Sequence, residues 1–374
     1  MPVAGVAGRG AASGNAAYLA LLTLAVVDAS GYSVIAPVAP AIARASGAGP
    51  GLIGCLVASF PLGMVVGFAL AAPAVKRGRT SALLLASLAL VSIGAVGFIG
   101  SHTLAIWFAS RLAMGLGSGG LWMGITFATL ERWPGQEYLC MSRVFAAYSL
   151  GGLVGPALGA LGGIRAPFAA YLCLAGVGAA GTLALRGERS TRSFRSDRAA
   201  LRLPGFPTAS LAIAFVVLAL GMAEGVLPLH FADGLGQQAI ALLYAAIALL
   251  ATASAALAAL TQPRALMLGA CALIVAGLAL AGANSSVPLW IGALVLIAIG
   301  IGAGNTAAIG LLFEAVGAER IVTAMIVWSQ LGILGYLAGP LAGGITAEAL
   351  GYHAIVLVPL TVALPLVLAL VRTR

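Results

Sequence analysis

The chain has 374 residues, of which 61% are apolar and 8% charged, and its mean hydropathy is +1.10. Soluble domains carry about 25% charged residues, so these proportions exclude an ordinary soluble enzyme and make lipid the solvent. The net charge of +9 would suggest a nucleic-acid partner in a soluble protein, but the placement of the basic residues gives it another meaning.

Cut at its short polar breaks, the sequence yields twelve apolar stretches, each near the ~20 residues that a spanning helix requires. In chain order they are 17–40, 50–74, 81–100, 103–128, 141–163, 167–185, 208–230, 236–260, 265–283, 287–312, 321–346 and 353–371. Their apolar runs are continuous rather than alternating, which selects helices over a membrane barrel. The first run is longer than the apolar part of a signal peptide, contains Asp28, and precedes eleven more; it reads as the first span of the mature chain. The expectation is an all-α membrane protein of twelve transmembrane helices.

Sixteen of the nineteen basic residues fall in the breaks on one side: Arg9, Lys76, Arg77, Arg79, Arg132, Arg143, six arginines from Arg186 to Arg202, Arg264, Arg320, Arg372 and Arg374. Only Arg44 and Arg165 fall in breaks on the other side. By the positive-inside rule both termini are cytoplasmic and the chain belongs in the inner (plasma) membrane, with no nucleic acid required. Cys55, Cys140, Cys173 and Cys271 are scattered without metal-type spacing and read as small apolar fillers.

The one long polar break, 186–207, divides the helices six and six, giving an N-terminal bundle (1–185), a cytoplasmic linker and a C-terminal bundle (208–374). Its arginines at 186, 189, 192, 195 and 198 suit either a solvated linker or a face lying on anionic headgroups. The halves resemble each other. Gly151-x-x-x-Gly155-Pro156-x-x-Gly159 recurs 184 residues later as Gly335-x-x-x-Gly339-Pro340-x-x-Gly343-Gly344, and Gly115-x-Gly117-x-Gly119 recurs 185 residues on as Gly300-x-Gly302-x-Gly304. Nearly equal offsets at two places indicate two pseudo-symmetric six-helix bundles. Glycines four apart let another backbone approach closely, and an intramembrane proline bends its helix.

Gly151 to Gly159 resembles the fifth-helix signature of drug:proton antiporters of the major facilitator superfamily, and Arg111-x-x-x-Gly115-x-Gly117 resembles that family's fourth-helix motif, with Met114 where glutamine is common. The turn Lys76-Arg77-Gly78-Arg79 is similar to the basic loop that locks the family's cytoplasmic gate, but Val75 and Ala71 stand where aspartate and glycine are usual. Asp28 with Pro37 and Pro40, Glu224 with Pro228, and Gly335-Tyr336 resemble the vesicular amine transporter branch, whose second-helix lysine and eleventh-helix aspartate fall here on Phe60 and Ser329. The resemblance implies the major facilitator fold, a central cavity lined by helices one, four, seven and ten, and Asp28, Arg111 and Glu224 facing one another across water.

Without any family, those three are the only ionisable residues away from the loops. Each costs ~2.5–3.5 kcal/mol near a helix centre, so a functional role is expected for the carboxylates. Arg111 has two readings, proton coupling or a structural role, either pairing Asp28 or capping backbone carbonyls. Tyr32, one turn from Asp28, and Trp122, eleven residues from Arg111, are aromatic candidates for an organic cation as well as for packing; Asn305 and Gln330 are further candidate polar contacts. His102, His230 and His353 read as loop residues near the outer surface.

The expected function is proton-coupled efflux of a small amphipathic or cationic compound by alternating access. An uptake symporter on the same scaffold is the alternative, and a receptor or scaffold would normally show a sizeable soluble domain. No H-E-x-x-H or paired-cysteine motif points to an enzyme, no cofactor or metal is implied, and a monomer is expected. The charge asymmetry makes a direct prediction. Cysteine tags at positions 79, 195 and 320 will be shielded from impermeant reagents added outside intact cells, and tags at 102 and 284 will react; labelling at 195 would reverse the topology.

Overall fold

The computed structural model describes residues 7–133, 136–185, 198–258, 261–317 and 321–372. Twelve helical rods run through them. The first joins α1 (Ala7–Ser33) to α2 (Ile35–Ser46), and is followed by α3 (Pro50–Lys76), α4 (Thr80–Gly100), α5 (Leu104–Arg132), α6 (Glu137–Gly159) and α7 (Arg165–Thr182). In the second half α8 (Phe206–Gly225) and α9 (Leu227–Phe231) form one rod, and α10 (Gln237–Ala258), α11 (Pro263–Ala283), α12 (Val287–Val316), α13 (Ile321–Leu350) and α14 (Leu357–Arg372) complete the set.

The rods match the apolar stretches one for one. Their ends differ where hydropathy is a poor guide to backbone: the first rod runs on through Arg44 to Ser46, stopped by Gly47 at φ 68°, the left-handed position that favours glycine. Nine rods are long and apolar enough to cross a membrane among the described residues. The other three, α5, α6 and α7, are diluted by glycine, hydroxyl and charged residues. The arginine spacing at 186, 189, 192 and 195 lies outside the described residues; the linker's last part, Arg198–Arg202, is a 3-10 turn.

Buried apolar side chains gather into two large clusters, one drawn from residues between 17 and 185, the other from residues between 200 and 370 together with Ala36. These are the cores of two six-helix bundles. They meet along two seams, α3 against α13 and α6 against α10. The face carrying residues 7 and 372 is the terminal face and the opposite one the distal face.

Within each bundle the repeated Gly/Pro motif packs on the equivalent rod. Side chains built at Gly151, Gly155 and Gly159 of α6 would meet Val26, Ser30 and Pro37 of the first rod, and at Gly335, Gly339 and Gly343 of α13 they would meet Ala214, Leu218 and Val226 of the seventh. Pro156 and Pro340 sit inside their helices beside these contacts, and Pro340 also packs on Gly221 and Gly225 of α8. The sequence repeat is therefore a repeat of one close helix approach.

A substitution pair tests that approach. At Gly155 a Cβ would lie 2.6 Å from the Ser30 carbonyl oxygen and 2.9 Å from the Val34 nitrogen, whereas at Gly152 nothing lies within 4 Å. Gly155→Leu is expected to destabilise the purified protein by about 1–3 kcal/mol or more and to stall transport, with Gly155→Ala milder, while Gly152→Leu leaves both unchanged. Equal melting midpoints for the two leucine variants would remove the close approach from the account.

Candidate functional site

The site is organised by two helix breaks. Pro37 and Pro228 carry no amide proton to continue a helical ladder, and the first and seventh rods are interrupted shortly before them, at Val34 and Val226. At both breaks one backbone bond persists: Val34 N–H donates to the Ser30 carbonyl at 3.1 Å, and Val226 N–H to the Met222 carbonyl at 2.9 Å. The remaining carbonyls of the last turn need donors from elsewhere.

In the N-terminal bundle Arg111 of α5 supplies them. Its Nη1 donates to the Gly31 carbonyl at 2.8 Å and its Nη2 to the Tyr32 carbonyl at 3.0 Å, and its guanidinium carbon lies 4.3 Å from the centre of the Phe60 ring. A cation at the C-terminal end of a helix is also favoured by the helix dipole. In the C-terminal bundle the Tyr244 hydroxyl donates to the Ala223 carbonyl. Of the two structural contacts open to Arg111, carbonyl capping is the one present, and among the described residues it makes no hydrogen bond to Asp28.

Asp28 is 1% exposed, and among the described residues neither of its carboxylate oxygens has a hydrogen-bond partner. Ser118 of α5 lies beside it, and Tyr148 of α6 and Tyr171 of α7 lie within reach of its charge. The Ser118 and Tyr171 hydroxyls are themselves buried without partners. An unpartnered buried carboxylate is costly, and this one is surrounded by groups that could donate to it with little movement.

Glu224 is 7% exposed and accepts a hydrogen bond from the Tyr336 hydroxyl at 2.8 Å. Tyr336 in turn packs on Tyr32, ring centres 4.8 Å apart, and Tyr32 on Phe60 at 6.0 Å. Tyr32 thus serves Glu224 across the two bundles rather than Asp28 one turn away. Arg111 and Glu224 lie within reach of each other's charge, whereas Asp28 is set apart beside Ser118, and all three are buried in this conformation.

Trp122 packs edge-on against Phe145 and Tyr148, centres 5.4 and 5.2 Å away, and Tyr148 feels the charge of both carboxylates. Asn305 and Gln330 are half-buried and make no hydrogen bond among the described residues. Lys76, Arg77 and Arg79 border a turn closed by backbone bonds, with Gly78 at φ 65°. His230 is corrected: it is not a loop residue but is 8% exposed, stacked on Tyr352 at 4.3 Å, edge-on to Trp290 and bonded at 3.1 Å to the Asn284 carbonyl. Ser118, Tyr148 and Tyr171 were missed; Ser118 could have been found as seven residues, two turns, from Arg111.

Arg111 gives a direct test of this geometry. Lysine has a single ammonium and cannot span two successive carbonyls as a planar fork does. Arg111→Lys is therefore expected to cost about 1.5–3 kcal/mol, the worth of a hydrogen bond to a charged group, read as a lowered melting midpoint. A variant as stable as the parent would show that the carbonyls are satisfied without the fork.

Comparison with known proteins agrees with the architecture. The chain is similar to a bacterial homolog of the human lysosomal transporter Spinster, solved inward-facing in an unoccupied form (TM-score 0.74, 15% identity, 96% of each chain covered) and an occupied form (TM-score 0.75, 16% identity, 95% of this chain and 94% of that one). It is likewise similar to the nucleoside transporter NupG (TM-score 0.72, 15% identity, 95% and 98% covered). Among curated proteins none is a significant sequence match. Two six-helix bundles meeting along two seams are matched at the level of sequence as well, since the Major Facilitator Superfamily model covers residues 21–329, and the chain belongs to that superfamily of membrane transporters, which are not enzymes.

Proposed function

We propose that this transporter exports a small amphipathic or cationic organic compound in exchange for protons, by alternating access, with Asp28 and Glu224 as the proton carriers. The observation that carries the reading is the pair of carboxylates buried inside the rods, one without a hydrogen-bond partner among the described residues and one held by a tyrosine. A buried carboxylate sheds its desolvation cost by binding either a proton or a cation. Competition between the two is what exchange requires.

In this reading residues 1–185 and 208–374 are the moving bodies, and the terminal face with its basic breaks lies in the cytoplasm against anionic headgroups. Tyr32, Trp122, Asn305 and Gln330, with Tyr148, line the path of the substrate, where aromatic faces beside carboxylates suit an organic cation. Arg111 holds the frame. The glycines and prolines at 151, 155, 156, 159, 335, 339, 340 and 343 let the rods slide without losing contact, and residues 76–79 border the cytoplasmic gate. Proton-coupled uptake on the same scaffold is separated from export by the direction of flux.

Neutral isosteres test the carriers. Asp28→Asn is expected to abolish transport driven by a pH gradient in proteoliposomes while exchange of a neutral substrate continues. Glu224→Gln is expected to reduce cationic substrates first, because one carboxylate remains for the proton but less negative charge opposes the cation. Should the double variant still concentrate substrate with pH as the only driving force, carboxylate coupling is wrong.

A further inference from the structure

At the distal face each of the two seams is fastened by one polar side chain, and the two side chains have opposite character. On the first seam, the Gly51 N–H at the start of α3 donates to Glu348 Oε2 near the end of α13 at 2.7 Å. Glycines make the room: a Cβ at Gly49 would stand 3.2 Å from the same oxygen, and one at Gly51 would collide with it. The first turn of a helix offers free N–H groups and a partial positive charge, so a carboxylate is the matching group.

On the second seam, Gln237 at the start of α10 enters the turn that follows α6. Its Nε2 donates to the carbonyls of Gly159 at 3.2 Å and Gly163 at 2.8 Å, and its Oε1 accepts from Gly163 N–H at 2.9 Å. Gly162 and Gly163, at φ 81° and 64°, hold a left-handed backbone that presents these groups to the amide. Two of the three contacts here are carbonyls, that of Gly159 at the end of α6 and that of Gly163 in the turn just before α7. An amide N–H fits them, whereas a carboxylate oxygen cannot donate to them and would be repelled.

At the terminal face nothing comparable fastens the basic turn. Lys76, Arg77 and Arg79 make no side-chain hydrogen bond or ion pair among the described residues, and Val75 stands where a partner carboxylate would be useful. Glu348 and Gln237 fasten the seams at the end opposite the basic turn.

We infer that Glu348 and Gln237 are positioning residues that hold the distal face closed, Glu348 matched to the helix start and Gln237 to the inter-helix turn it grips, and that breaking either shifts the transporter toward the state open on that side. The inference rests on alternating access but not on proton coupling, and its test measures conformation rather than flux.

Two reporters suffice, placed in a background with Cys55, Cys140, Cys173 and Cys271 replaced. Val57→Cys sits on α3, where the valine is buried against Gly225 of α8 in the distal half of the molecule. Asn305→Cys sits on α12 toward the terminal face. In purified protein, Gln237→Glu is expected to speed thiol labelling at 57 about tenfold, the shift that loss of a charge-sensitive hydrogen bond gives to a two-state ratio, with no rise at 305. Glu348→Gln is expected to act in the same direction more weakly, since glutamine keeps an acceptor oxygen. Unchanged labelling at 57 overturns the inference, and so does a parallel rise at both positions, which would mean general loosening.

Discussion

The constraint on which the rest depends is the interrupted first rod and the single cation that completes it. Once Pro37 and the break at Val34 expose the carbonyls of the preceding turn, they must be satisfied in a lipid-surrounded bundle where water is scarce. Arg111 satisfies two of them, and in doing so it fixes α5 against α1, lays its guanidinium on Phe60 and leaves Asp28 without a counter-ion. The lone carboxylate and the enclosed arginine are two sides of one arrangement.

The pseudo-symmetry of the halves sharpens this. The breaks correspond, with Val34 and Val226 bonded back to Ser30 and Met222 in the same way, and the carbonyl after each is taken by Arg111 in one bundle and by Tyr244 in the other. Counting from the breaks, Glu224 corresponds to Tyr32 and not to Asp28. The two carboxylates are therefore not symmetry mates. Asp28 is enclosed within the N-terminal bundle, whereas Glu224 lies at the tyrosine stack through which the bundles touch, so a proton on one has different neighbours from a proton on the other.

The number and order of rods were legible because spanning helices in lipid leave an unmistakable apolar record, and the Gly/Pro repeat was legible because close backbone approach admits almost nothing else at those positions. The buried charges announced themselves by their cost. What the sequence did not disclose was which groups meet across the bundles. Tyr32 is one turn from Asp28 along the chain but serves Glu224, and His230 looks like a loop residue until Trp290 and Tyr352 close around it. Such pairings depend on the rotation of each rod about its axis, which an all-round apolar helix leaves unspecified. Gln237 and Glu348, unremarkable in sequence, gain meaning only from the turn and the helix start they face.

Competition between proton and substrate at buried carboxylates is the centre of the account, and proton release reports it most directly. Lightly buffered, detergent-purified protein would be titrated with a panel of amphipathic amines while the pH of the solution is followed. The account predicts that a bound cation expels protons from the parent protein and none from the variant lacking both Asp28 and Glu224. Cation binding of undiminished affinity with no proton released from the parent would contradict it.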